Sequence, residues 1–541
     1  MLKSMQCGLL LFALPVWGLA ADPEDVAAKP KAATKPMAST KLKALTGAEV
    51  SGRIDKLVLD RLAESNISTS PRANDAEYLR RVYLDLAGRI PTVDEAKAFL
   101  DSTDSDKRAK LVDGLLAGKD HARHLADIWQ VLLISKNSDA RRLDRKAFVD
   151  WIAGEFAKNR PYNELVREIL TAEGPQDKNP ATTFWLSQVT VDRMTDTIGK
   201  VFMGSQIQCA QCHNHPFTGW KQDEYWGLAA FVMKVVARPP GGKQTTSPEV
   251  KEAPRVVKNR KNLPESAKFV EAKFFGGDKP KVKESQALRP VLAGWLCASD
   301  NPYMAKATVN RLWAMMYGRG LVHPLDNIND TNPATHPELL DELTSQFQAS
   351  NFDLRAMLRA MALSETYQRS SKPVAGNEGA LSESYARMPI KVLTPEQLFD
   401  SIKTVLGSPE GNRAELRKAA GANKPAAAKA ANPEALRNQF LALFEGDADA
   451  DSTEYLAGIP QVLNLMNSPR MNPPGAALRI TQGLGQAEAI DKLYLATLSR
   501  PATDKEKERA LRAVKESPAP KTAFGDVLWA LMNSTAFASN H

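Results

Sequence analysis

Cys209, Cys212 and His213 stand together in the run Cys209-Ala210-Gln211-Cys212-His213. Two thiols three apart, followed at once by an imidazole, form the attachment pattern for a c-type haem. One helical turn would set both sulfurs against the haem vinyl groups and make His213 the proximal iron ligand. A second axial ligand is then required, or the sixth position stays open. The candidates are Met203, Met233, His323, His336 and His541. His215 lies too near His213 in the chain to reach the opposite face of the same ring. The group also needs an apolar pocket, which Trp220, Tyr225, Trp226 and Phe231 could line, although for any single one ordinary core packing is the first reading.

Two other chemistries use the same residues. Cys209, Cys212, His213 and His215 are all zinc donors. Four ligands within seven residues crowd a tetrahedral site, so His336 or His541 would have to replace one or two of them. Alternatively, in an oxidising compartment the two thiols close a disulfide, and His213 favours the thiolate of a redox-active pair. The chain lacks the βαβ pattern of a thioredoxin. It also lacks a glycine-rich phosphate loop, a Gly-x-Ser-x-Gly elbow and a His-Glu-x-x-His helix, so hydrolase machinery finds no support.

The compartment follows from the first residues. Lys3 supplies a positive start, Gly8 to Leu19 is apolar but short, and Leu19-Ala20-Ala21 offers small residues for cleavage. Residues 1–21 therefore read as a secretory signal peptide, and the mature chain as a soluble protein of the periplasm or cell envelope. No later stretch has the 18 or more apolar residues of a membrane span. Cleavage leaves Cys209, Cys212 and Cys297, too few for a disulfide scaffold. Residues 234–289 carry 14 Lys or Arg against 6 Asp or Glu, much of the excess in a chain of formal charge +8. Such a stretch reads as a solvated linker, or as a docking patch for an acidic partner. Nucleic acid is not expected of an exported chain without a binding motif.

The elements that must position the motif are helical. Residues 22–45 form a Lys, Pro and Ala-rich tether. Asn74 or Asp75 caps a helix carrying Tyr78, Leu79, Val82, Tyr83 and Leu86, which Gly88 stops. Thr92 to Glu95 forms a capping box, and amphipathic stretches cover about 107–117, 123–135, 145–158 and 162–172. The N-terminal helical domain is expected at 46–233 and a basic insert at 234–285, with short strands at Val235-Val236, Val256-Val257 and Phe269–Phe275. A second helical domain takes 286–541. Its helices fall near 305–316, 337–349, 353–366, 394–406, 486–499, 503–516 and 523–538, and a low-complexity insert near 408–436 interrupts it. The fold class is mainly α, two helical domains with minor β content. Arg81 and Asp85 are spaced for a helical ion pair. Asn310, Arg311 and Trp313, before Gly318-Arg319-Gly320, read as a joint between helices or as a ligand pocket.

Taken together, the run Leu79-Arg80-Arg81-Val82-Tyr83-Leu84-Asp85-Leu86, then Gly88 to Thr92, Asn159-Arg160-Pro161-Tyr162, Cys209 to Phe217 and Asp223 to Phe231 resembles one known domain. Asn301-Pro302, Asn310 to Trp313, Gly318 to Val322, His336 to Leu340, Trp529 to Ser534 and Asn540-His541 resemble a second. They are the paired, cytochrome-associated domains of unknown function multiplied in planctomycetes, and the likeness runs over about 50–541 in family order. The resemblance implies an exported protein found beside cytochrome c-like domains and sulfatase-like neighbours. It implies no reaction. Two positions depart from the family pattern. Asn214 stands where Asp is common, and a Phe-Gly-Pro-Arg segment is not recognisable around Phe444 to Asp451. The functional expectation is an exported c-type cytochrome-like protein that exchanges electrons with a redox partner. The alternative is a non-catalytic envelope scaffold with a disulfide or structural zinc, acting beside polysaccharide-processing enzymes.

Overall fold

Thr92 and Glu95 show how local sequence starts a helix in this chain. The Thr92 hydroxyl accepts the Glu95 N–H, the Glu95 carboxylate accepts the Thr92 N–H, and helix Val93–Leu100 begins. Thr394 with Gln397 opens Pro395–Leu406 by the same device, and Thr503 with Glu506 opens Asp504–Glu516. Asn74 caps Asp75–Ala87, which ends at Gly88 in the left-handed conformation (φ 69°).

The computed structural model describes residues 43–134, 143–188, 190–216, 218–238, 247–254, 270–283, 285–407, 433–444, 475–518 and 522–541. The expected leader, most of the tether and of the 408–436 insert, Val256-Val257, and Glu445 to Asp451 lie outside these residues. All the described residues belong to one unit, Ser39–His541. They are mainly helical. One small antiparallel sheet orders Gly174–Pro175, Glu249–Glu252 and Val235–Arg238, and a second pairs Lys391–Val392 with Ser539–Asn540. The strand expected around Phe269–Phe275 is absent from its described part, 270–275. The aromatic rings there pack instead of pairing: Phe274 stacks between Phe231 and Trp295, at 5.3 and 5.0 Å, and Phe275 lies 4.3 Å from Trp220.

One apolar core runs from Val50 to Met388, and a second gathers Leu393 to Phe537 together with Leu84 and Ile90. Helix Asp75–Ala87 feeds both. Every residue from Glu77 to Ala87 is buried, so its charges must find partners inside the protein. Arg80 donates to the carbonyls of Thr497, Ala536, Phe537 and Ser539 at 2.8–3.3 Å. Asp85 accepts from Lys391 Nζ at 2.6 Å, the Tyr367 hydroxyl at 2.7 Å and Asn540 Nδ2 at 2.7 Å. The expected Arg81–Asp85 pair does not form. Arg81 turns the other way along the helix to Glu77, at 2.8 Å, and caps the carbonyls of Tyr367 and Arg369. Lys391 and Asn540, remote in sequence, supply what Asp85 needs.

Candidate functional site

The segment leading to the motif is a single π-helical turn, Ile198–Met203, a rare geometry that often marks functional sites. Arg311 holds its last carbonyls, donating to Val201 at 2.9 Å and Lys200 at 3.3 Å. Gly204 then takes φ 64°, and a Cβ there would fall 2.7 Å from Ile328 Cδ1. The chain reverses and enters the 3-10 turn Gln208–Gln211.

Ala210 anchors that turn in the core while Cys209, Cys212 and His213 face solvent. The turn's carbonyls are gripped from beneath by helix Gln222–Ala230. Trp226 Nε1 and Gln222 Nε2 both donate to Gln211 O, at 3.0 and 3.1 Å, and Gln222 Nε2 also reaches Cys212 O at 3.0 Å. Asn214 Oδ1 accepts the Gln222 N–H at 3.0 Å, tying the motif to that helix. An aspartate could accept the same bond, so the departure at Asn214 keeps the contact and removes a charge.

Both thiols are free. His213 Nδ1 lies 2.7 Å from the Asn214 carbonyl, which can only accept, so Nδ1 carries a proton and, in the neutral ring, Nε2 is the nitrogen with the lone pair. A metal-ligating imidazole is commonly oriented by such a bond. His215 is used differently: its Nδ1 accepts the Thr218 N–H at 3.1 Å, closing the loop after the motif. Cys297 is buried, and burial pushes its thiol up to about 12, so it is chemically quiet.

The aromatic residues expected to wall a pocket serve the core instead. Tyr225, Trp226 and Phe231 are buried, and Trp220 packs on Phe275. Their role is to support the turn. Met203, Met233 and His336 are likewise enclosed. His336 precedes helix Pro337–Ala349 without capping it by its side chain, packs 5.3 Å from the Tyr385 ring, and is held down to about 4 by burial. His541 follows the Ser539–Asn540 strand, and burial with nearby Arg80 lowers it to about 4. His323 is exposed. Its loop is bound to the approach to the motif, Ile328 N to Gly204 O at 2.8 Å and Gln206 Nε2 to Asp326 at 2.7 Å. Among the described residues no group of three or more His, Cys, Asp or Glu side chains is arranged to hold a metal ion.

Asn310 and Trp313 form a joint. Asn310 exchanges hydrogen bonds with the Val322 N–H and carbonyl at 2.9 Å each, and Trp313 stacks on Tyr317 at 3.8 Å. Gly320 is required there, because a Cβ would meet Val322 O at 2.4 Å.

One site residue has no signal in the sequence. Asp196 accepts from the Tyr225 hydroxyl at 3.3 Å, and burial, reinforced by Asp192, pushes its carboxyl up to about 7. Its position in helix Val191–Thr197 reads as an ordinary polar helix position. Only the packing of that helix beside Gln222–Ala230 reveals it.

The donor set therefore suits covalent haem attachment: two free thiols three residues apart on one turn, and an imidazole with its Nε2 lone pair available. An enclosing apolar wall is not supplied by the four aromatic residues. Among the described residues no helix is long and apolar enough to cross a membrane.

Two family models match the chain. PSCyt2, described as a protein of unknown function (DUF1549), covers residues 53–237. PSD1, also described as a protein of unknown function (DUF1553), covers 288–514. No curated protein and no solved structure matches it.

Proposed function

Because the chain carries the PSCyt2 and PSD1 domains as a pair, we propose that it is an exported redox protein holding one haem c at Cys209, Cys212 and His213. The observation that carries this reading is the His213 tautomer. Its Nδ1–H is spent on the Asn214 carbonyl, which leaves Nε2 for a ligand, and both thiols of the motif are free and exposed. In this reading Cys209 and Cys212 would hold the group through their thiols, and His213 Nε2 would ligate its iron. When bound, the haem supplies a one-electron couple at iron.

The chain's own residues do the rest. Ala210, Gln222 and Trp226 hold the turn rigid, so the three side chains are presented from a fixed backbone. Cys209, Cys212 and His213 are exposed, so a haem held by them would be open to a redox partner protein. His323, exposed on the loop fastened to Gly204 and Gln206, is the candidate second ligand that would not have to leave the core, and a second histidine would favour a low potential. Met203, Met233 and His336 would have to leave the core to serve. The leader at 1–21 delivers the chain to the periplasm or cell envelope, where such attachment takes place.

The test is optical. Protein exported from cells with cytochrome c maturation should show a Soret band in the parent. His213→Ala should keep the covalent pigment while its axial-ligand spectrum changes. Cys209→Ser with Cys212→Ser should abolish the pigment. A parent without visible absorbance defeats the reading.

A second reading is favoured by the free, exposed state of both thiols. Here the pair cycles between dithiol and disulfide, or holds zinc with a donor from outside the motif, in a non-catalytic scaffold. A partner among envelope polysaccharide-processing proteins belongs to this reading.

A further inference from the structure

Far along the chain from the cysteine motif, a cavity of about 410 Å³ opens beside the buried helix Asp75–Ala87. Its lining comes from the Ala87–Thr92 corner, from helix Lys119–Leu133 and from helix Pro395–Leu406. The size falls in the range of small-molecule sites. Its walls are polar, and their charges are unevenly satisfied.

The guanidiniums are already committed. Arg89 binds Glu95 and Asp120 at 2.8–2.9 Å. Arg123 binds Asp127 at 3.1 Å and Glu434 at 3.3 Å, and Arg437 spans Asp127 at 2.7 Å and Asp400 at 3.4 Å. The remaining lining cation, Lys403, is exposed. Acceptors are left over. Among the described residues Glu396 makes no hydrogen bond or ion pair, and Asp400 has only the long contact to Arg437.

A second observation is independent of the carboxylates. His124 lines the cavity, is 5% exposed, and its buried Nε2 has no hydrogen-bond partner. The ring stands against Gly88, where an added Cβ would lie 2.5 Å from Nδ1. Burial keeps the imidazole neutral, lowering it to about 3. In its Nδ1–H tautomer the neutral ring offers a lone pair at Nε2. A buried acceptor left unpaired costs roughly 1–3 kcal/mol, which a donor in the cavity would return. Asp127 gives the same message, since burial pushes its carboxyl up to about 6 despite two guanidiniums.

We propose that this cavity binds a small organic cation bearing a primary ammonium group, received by Glu396, Asp400 and the Nε2 of His124. An ammonium brings donors and positive charge to Glu396 and Asp400, which the exposed Lys403 leaves without a hydrogen bond of its own. A carboxylate ligand would face Glu396 and Asp400 without a free guanidinium to meet it.

The experiment is calorimetric titration of the full folded chain with three five-carbon probes that differ only in their end groups: 1,5-diaminopentane, 1,5-pentanediol and glutarate. The diamine should bind with Kd below about 1 mM, and the diol and diacid should not. Glu396→Gln and Asp400→Asn, both on the rim of the cavity rather than in the core, should each weaken the diamine by about tenfold or more. Melting curves of the variants establish that they are folded. No heat from the diamine, preference for glutarate, or diamine affinity unchanged in both folded variants overturns the proposal.

Discussion

Asp85 and Lys391 meet at 2.6 Å, 306 residues apart in the chain, with the carboxylate 2% exposed and the ammonium 15%. Burial alone pushes the Asp85 carboxyl up and the Lys391 ammonium down, and each partner works against the other's shift. The pair joins the helix that feeds both cores to the strand Lys391–Val392. Removing one partner strands the other's charge in the interior, at a cost of about 3–5 kcal/mol. Asp85→Asn and Lys391→Met should each lower the melting temperature strongly, and the double variant should recover part of the loss. Calorimetry of the four proteins reads the coupling, and simple additivity of the two losses would deny it.

Arg80 makes a different prediction. Its guanidinium gathers four carbonyls from Thr497 and the segment Ala536–Ser539. A lysine keeps the charge but not the planar fork. Hydrogen bonds to a charged group contribute roughly 1.5–3 kcal/mol each, so Arg80→Lys should loosen the chain end selectively. Hydrogen exchange should accelerate at 536–540 while helix Val93–Leu100 keeps its protection. Equal acceleration throughout would mean that Arg80 acts on global stability instead.

How much of this was legible in the sequence differs from residue to residue. The helix starts at Thr92, Thr394 and Thr503 were readable, because a capping box is local chemistry within four residues. The mainly helical class followed from the same periodicities. The partner of Asp85 was not readable, because nothing near it in sequence points to Lys391 or Asn540. Spacing favoured Arg81, but Arg81 had an equally spaced alternative in Glu77, and the interior chose it. The aromatic residues after the motif were ambiguous for a related reason. Composition does not distinguish a cofactor wall from a turn's foundation, and only Trp226 donating to Gln211 O decides its case. Asp196 lacked any signal, since its raised carboxyl is a product of packing.

Asp196 also gives the stability of the chain a pH signature. Burial raises its carboxyl from the ordinary 3.8 to about 7, so the folded state holds the proton more tightly than the unfolded chain. The resulting penalty is absent below about pH 4, grows between pH 4 and 7, and is complete above 7. Asp196→Asn removes it. The variant should melt with the parent at pH 4 and above it at pH 8. A constant offset across that range would show that the carboxyl does not titrate there.

The central claim concerns Cys209, Cys212 and His213, and the most direct measurement is a pyridine haemochrome spectrum with intact mass on protein exported through a cytochrome c maturation system. The account predicts a c-type α band and the added mass of one haem, both lost when the two cysteines become serines. A colourless parent at its apo mass would contradict it, and a mass lower by two hydrogens would point instead to a disulfide between Cys209 and Cys212.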